Sequence, residues 1–183
     1  NKNLLDISET ISKNEDIKMV LIAGPSCSGK TTTSKKLEMF LESKGLNPVA
    51  LSVDDYFKER IDTPLDEDGN KDYESINAID TELFNDQLSR LLKGEEVILP
   101  TYNFITGQKE FKRRLKLKEN AILIIEGLHS LNDELTKTID KKNKYRIYIS
   151  PLTCLNLDNH NRLNTTDNRL LRRLVRDNLR RGY

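Results

Sequence analysis

Four short, largely apolar runs punctuate an otherwise polar chain: Met19–Ala23 and residues 49–53, 121–125 and 145–149. Runs of this length, apolar at successive positions, suit strands covered on both faces. Helical spacing fills the intervals. Residues 30–44 repeat Leu37, Phe40 and Leu41 before Gly45 ends the pattern. Asp80 is placed to cap a helix whose one face carries Leu83, Phe84, Gln87, Leu88, Leu91 and Leu92, closed by Gly94. Residues 97–99 and 102–104 are expected as two short strands forming an antiparallel flap, and 54–79 as a polar, turn-rich connection. A final helix runs from about Asp167 to Arg181, and Leu4, Leu5, Ile7 and Ile11 give a short amphipathic lead-in helix. Strand and helix in alternation predict an α/β fold with a mostly parallel sheet and helices on both faces. The organisation read from this is a lead-in element over 1–16 and one main domain over 17–183. Such a domain packs its last helix against a further strand, so the last strand is expected to lie outside this chain.

Composition narrows the class. The chain has 183 residues, 36% apolar and 32% charged, with a net charge of +1. That balance argues against nucleic acid as the partner. The charge is segregated along the chain: residues 54–74 hold nine acids against three bases, residues 109–118 six bases against one acid, and residues 162–183 seven arginines against two aspartates. Segregation of this kind suits a site where anionic phosphates meet cations and a metal. The two cysteines, Cys27 and Cys154, make neither a disulfide framework nor a zinc spacing and predict reduced thiols in the cytoplasm. No apolar run approaches the ~18 residues that span a bilayer, so no membrane role is expected.

The chemistry starts after the first strand. Gly24-Pro25-Ser26-Cys27-Ser28-Gly29-Lys30-Thr31 fits G-x4-G-K-[ST] without a mismatch, and Thr32 follows. Glycines let successive N–H groups turn inward around a phosphate, and a helix beginning at Lys30 aims its positive end at the same anion. Lys30 reaches the β- and γ-phosphates, and the Thr31 hydroxyl suits Mg²⁺. The expected cofactors are therefore ATP or GTP with Mg²⁺. Cys27 reads as a small residue at a tolerant place in the loop.

Two strand ends carry acids. Asp54 and Asp55 follow the second strand, at the carboxyl edge where ligands sit in such sheets, and Glu126 ends the third. Glu126 is placed to hold Mg²⁺ directly or through water. Asp54 is placed to orient and deprotonate an attacking hydroxyl, while Asp55 reads as a cap. In the last helix Arg169, Arg172 or Arg173, Arg176 and Arg180 recur at spacings of three and four. Guanidinium forks at such spacing suit phosphate oxygens and the charge that builds during transfer. His129 and His160 lie too far apart in sequence for a metal site and are expected to be structural or solvent-facing.

Taken together, the blocks GPSCSGKTT (24–32), LSVDDYF (51–57), DYESINAID (72–80), LPTYNF (99–104), IIEGLH (124–129) and TTDNRLLRRLVRDNLRRG (165–182) resemble the uridine kinase and phosphoribulokinase-like family of P-loop kinases. The resemblance implies the three-layer sandwich of P-loop NTPases with a small β flap. It also implies transfer of a γ-phosphoryl group from ATP or GTP to the 5′-hydroxyl of a nucleoside, uridine or cytidine by default; the expected partners are that small-molecule substrate and, apart from the resemblance, a second copy of the chain in a homo-oligomer. By resemblance Asp54 is the catalytic base, Glu74 grips the ribose hydroxyls, and Tyr102 and Phe104 line the nucleoside pocket. Arg173 serves the nucleoside and the transferred group, and Arg176 and Arg181 are lid arginines on the triphosphate.

The chain departs from the family pattern at Gly107, where a base-reading histidine is usual, at Lys109, where an arginine is usual, and at Tyr183, also usually an arginine. Glu74 is one methylene longer than the usual aspartate. Two other readings stay open: a kinase for another small hydroxyl acceptor, such as a different nucleoside, a sugar phosphate or a pantothenate-like alcohol, and a non-catalytic ATP-binding regulator.

Overall fold

The computed structural model describes residues 2–150, 155–156, 158–160 and 162–181. Four parallel strands form the central sheet in the order β2-β5-β1-β6, with β1 Met19–Ala23, β2 Asn47–Ser52, β5 Ala121–Glu126 and β6 Lys144–Tyr148. The most apolar runs, β1 and β5, lie at the centre, where both faces are covered. Val20, Ile22, Ile122 and Ile124 point to one side, and there α2 (Lys30–Glu42) packs with Leu37 and Leu41. The first helix, α1 (Lys2–Lys13), joins that layer through Ile7 and Ile11, so the lead-in segment is built into the sandwich. Met19, Leu21, Leu123 and Ile125 point to the opposite side, against α3 (Thr81–Leu92) and the aromatic residues Tyr56, Phe57 and Tyr102. The result is an α/β/α sandwich, as the alternation of elements predicts.

Local chemistry places the boundaries. The Asp80 carboxylate accepts the Leu83 N–H at 3.1 Å and caps α3. Gly94 and Gly45 take positive φ just past the helices they end.

The flap differs from the expectation. Residues 97–103 form one strand, β3 (Val97–Asn103), with its register shifted between Leu99 and Pro100. Proline has no N–H to give the ladder, which accounts for the shift. Its antiparallel partner is β4 (Gln108–Leu115), a strand absent from the sequence reading. It is Lys/Arg-rich and exposed along almost its whole length, so no apolar alternation marks it. A two-residue pair, β7 (Leu155–Asn156) with β8 (Arg162–Leu163), precedes α4 (Thr165–Arg181). Cys154 and Tyr183 lie outside the described residues, as does the Arg181 side chain.

Candidate active site

One cleft of about 910 Å³ opens at the carboxyl edge of the sheet and is lined by Pro25 through Thr32 together with Asp54, Glu74, Phe104, Arg173 and Arg176. It thus gathers most of the residues singled out by sequence. The loop between β1 and α2 forms its floor. Gly29 adopts φ +97 at the start of α2, a conformation that side-chain-bearing residues rarely enter. Gly24 faces a different constraint: a Cβ there would lie 2.6 Å from the Ile149 carbonyl oxygen and 2.9 Å from Ser28 Oγ. Lys30 Nζ folds back to donate to the Gly24 and Pro25 carbonyls at 3.0 and 3.2 Å. Its charge is therefore held at the mouth of the loop.

Glu126 stands at the end of β5, next to β1 in the sheet. Its Oε1 accepts from Thr31 Oγ1 at 3.2 Å and from Ser52 Oγ at 3.3 Å. Burial pushes the Glu126 carboxyl up from the ordinary glutamate range, and the nearby Asp54 charge adds to the rise. The Lys30 charge and the two hydroxyl donors work in the opposite direction. Hydroxyl and carboxylate oxygens are the hard donors that Mg²⁺ prefers. Among the described residues no cluster of three or more His, Cys, Asp or Glu could hold a metal alone.

Asp54 and Asp55 sit on a single 3₁₀ turn, Val53–Tyr56, at the end of β2. Asp54 lines the cleft. Asp55 turns away, and its Oδ1 accepts the Tyr102 N–H at 3.4 Å, joining the turn to the flap. Its carboxyl is raised by burial in spite of that hydrogen bond. Asp55 is thus a brace between elements rather than the helix cap expected of it.

The far end of the cleft is aromatic. Phe57 meets Tyr73 at 5.9 Å, Tyr102 at 5.6 Å and Phe104 at 5.9 Å between ring centroids. Phe57, Tyr73 and Phe104 line the cleft, while Tyr102 is buried behind them and supports Phe104 from 5.0 Å. Phe57 and Tyr73 were not singled out from sequence, although each lies inside a family-like block. Glu74 lies at the cleft wall, where Arg173 Nη1 donates to its Oε1 at 3.5 Å across a solvent-exposed gap.

From α4, Arg176 Nη1 donates to Ser26 Oγ at 3.0 Å and Arg169 Nε to the Ser26 carbonyl at 3.1 Å. Arg169 belongs to the arginine face noted in the sequence, but its contact with the loop does not follow from spacing alone. Asp177 braces the face by accepting from Arg176 at 2.8 Å. His129 also lines the cleft, with Nε2 buried and no hydrogen-bond partner among the described residues. It lies three residues after Glu126, and the sequence marked it as structural or solvent-facing, with no place in the site.

The model of the phosphoribulokinase/uridine kinase family matches residues 19–183, which takes in the loop, both strand-end acids and the arginine helix. The chain belongs to that family. It is 30% identical over 161 residues to a uridine kinase of Staphylococcus haemolyticus, covering 88% of this chain and 69% of the relative. It is 26% identical over 161 residues to a uridine kinase of Halobacterium salinarum, again covering 88% of this chain. The chain spans 63% of that relative's length. Among solved structures, one described as a possible uridine kinase from Bacillus stearothermophilus aligns with a TM-score of 0.64 and 26% identity, covering 80% of this chain and 79% of the other. The cleft has the 24–32 loop at one end, the aromatic residues at the other, and α4 residues along its wall.

Proposed function

We propose that this chain is the catalytic domain of a cytoplasmic kinase that transfers the γ-phosphoryl group of ATP or GTP to the 5′-hydroxyl of a nucleoside, uridine or cytidine by default. One observation carries the reading: Asp54 lines the same cleft as Lys30 and Thr31, whose hydroxyl donates to Glu126 behind it. A pure nucleotide switch has no use for a carboxylate at the acceptor side of its phosphate loop, whereas phosphoryl transfer to an alcohol needs one.

In this reading the loop amides and Lys30 hold the β- and γ-phosphates. Thr31 and Glu126 hold Mg²⁺, which, when bound, neutralises charge on the phosphate oxygens. Asp54 accepts the hydroxyl proton and aims the oxygen. The rings of Phe57, Tyr73 and Phe104 take the apolar part of the acceptor, with Tyr102 behind them, and Glu74 binds its hydroxyls. Arg173 serves the acceptor and the transferred group, and Arg176 serves the triphosphate as a lid arginine, the role that the family resemblance also implies for Arg181.

A second acceptor class stays in view because of Gly107, which has no side chain to read a base edge. A site lacking such a contact loses discrimination. The test is phosphoryl transfer from ATP with Mg²⁺ to a panel of nucleosides, sugar phosphates and pantothenate. Product on uridine or cytidine supports the reading. Product only on a non-nucleoside replaces the acceptor, and ATP binding with no product on any acceptor refutes it.

A further inference from the structure

Gly107 ends the turn that joins β3 to β4, with φ +75. The space a side chain would take there is already filled: a Cβ at 107 would lie 2.8 Å from Arg60 Cβ and Nε and 3.2 Å from Arg60 Cζ. The two residues are also bonded through the backbone, the Arg60 N–H donating to the Gly107 carbonyl at 3.0 Å. The guanidinium continues along the turn. Its Nη2 donates to the Phe104 carbonyl at 2.8 Å and to the Ile105 carbonyl at 3.4 Å. Inside the turn, Asn103 Oδ1 accepts the Ile105 and Thr106 N–H groups at 3.0 and 3.2 Å, and the Asn103 carbonyl accepts the Gly107 N–H at 2.7 Å. Thus a residue of the acidic connection clamps the flap from outside while the turn satisfies itself from within. The clamped carbonyl belongs to Phe104, whose ring lines the cleft beside Phe57.

From this geometry we propose that Arg60 is a positioning residue for the acceptor, acting through Phe104, and that Arg60 and Gly107 form one coupled unit. The proposal rests on the kinase reading given above and deepens it. Arg60 does not line the cleft and has two of its contacts on carbonyls of the turn, so it sets where the aromatic wall stands rather than touching the acceptor. A ring face is recognised by stacking, which is tolerant of base identity because every base has a π-face. Loss of Arg60 therefore weakens all nucleosides alike and leaves the phosphate loop untouched. A side chain at 107, by contrast, must displace Arg60 before it reaches the pocket.

The experiment compares Arg60→Ala, Arg60→Lys, Gly107→Ala and the double variant. Uridine, cytidine and a purine nucleoside serve as acceptors, and amide exchange is followed in the same proteins. Arg60→Ala is expected to raise acceptor KM about tenfold, the scale of one charge-assisted hydrogen bond. The rise should be equal for the three bases, with kcat and the KM for ATP within about twofold. Arg60→Lys keeps one donor and restores part of the loss. Gly107→Ala raises acceptor KM in the native background and raises it by less in Arg60→Ala, where the contacts with Nε and Cζ are gone while the Arg60 Cβ contact and the φ of +75 remain. Exchange at Ile105 and Thr106 quickens by about tenfold in Arg60→Ala, as expected for local opening of a turn that has lost its clamp.

A base-selective change overturns the proposal, since the guanidinium would then be reading the base itself. So does an equal rise in the KM for ATP, additive effects at the two positions, or unaltered exchange. If the native protein phosphorylates no nucleoside, the kinase reading fails on its own, and the exchange measurement still decides whether Arg60 holds the flap.

Discussion

Replacing Gly24 by alanine tests the closest approach in the phosphate loop. The added Cβ would lie 2.6 Å from the Ile149 carbonyl oxygen, whereas real contacts of this type almost never fall below 3.0 Å. The two must therefore part by at least about 0.4 Å. Neither side yields easily. The Ile149 N–H is bonded to the Ala23 carbonyl at 2.8 Å, directly before Gly24, and Ser28 Oγ blocks the other direction at 2.9 Å. Overpacking of this kind costs roughly 1–3 kcal/mol. For a domain of this size each kcal/mol lowers Tm by about 2–4 °C, which gives a fall of roughly 2–12 °C. The same shift moves loop amides away from the phosphates, and a misplacement approaching 1 Å can cost about 10²-fold in turnover. Gly29 serves as the contrast. It has open space around its would-be Cβ but sits at φ +97, so its alanine cost is torsional, about 1–2 kcal/mol, and asparagine should recover part of it. At Gly24 asparagine should be no better than alanine. Thermal melts and calorimetric ATP titration of the four variants measure both effects. A Gly24→Ala protein with native Tm and native ATP affinity would refute the close-packing argument.

Three further outcomes are expected. Asp54→Asn should lower turnover by at least ~10²-fold, the scale of a lost general base, with ATP affinity largely kept; unchanged turnover removes Asp54 from the mechanism. Glu126 has its carboxyl raised by burial, so its neutral form is favoured by folding. Its contribution to stability is complete below the ordinary glutamate value of 4.5 and is lost as pH rises through the folded value. Glu126→Gln should therefore gain Tm relative to the native protein as pH is raised from 4 to 8 while losing Mg²⁺-dependent turnover, and a Tm difference that does not grow with pH contradicts this. Arg176→Ala removes the bond to Ser26 Oγ and should weaken ATP about tenfold, the worth of a charged hydrogen bond, read by calorimetry with acceptor affinity as the internal control.

How much of this was legible in the sequence depends on what kind of physics wrote it. The central strands were, because burial on both faces leaves a run with few polar interruptions. Their ends moved by a residue or two, as where Val53 left β2 to begin the turn that carries Asp54. The phosphate loop was legible because its function needs particular residues at fixed spacing. β4 was not, since a strand exposed on both faces carries no periodic signal. The aromatic wall was half visible: Phe104 was named for the pocket and lines it, while Phe57 and Tyr73 depend on how the acidic connection folds back against the flap. The Arg60–Gly107 contact was illegible, because it joins two segments brought together only by that folding. Gly107 read as a missing side chain, whereas in the fold its space is occupied.

The way α4 lies has a thermodynamic corollary. One helix carries Arg169 and Arg176 on the 24–32 loop and Arg173 on Glu74. In the proposed kinase, a triphosphate that draws Arg176 would also move Arg173, the residue proposed to serve the acceptor. The two substrates of such a kinase would be linked through a common lever, and linkage is symmetric: whatever factor the acceptor applied to nucleotide affinity, the nucleotide would return to the acceptor.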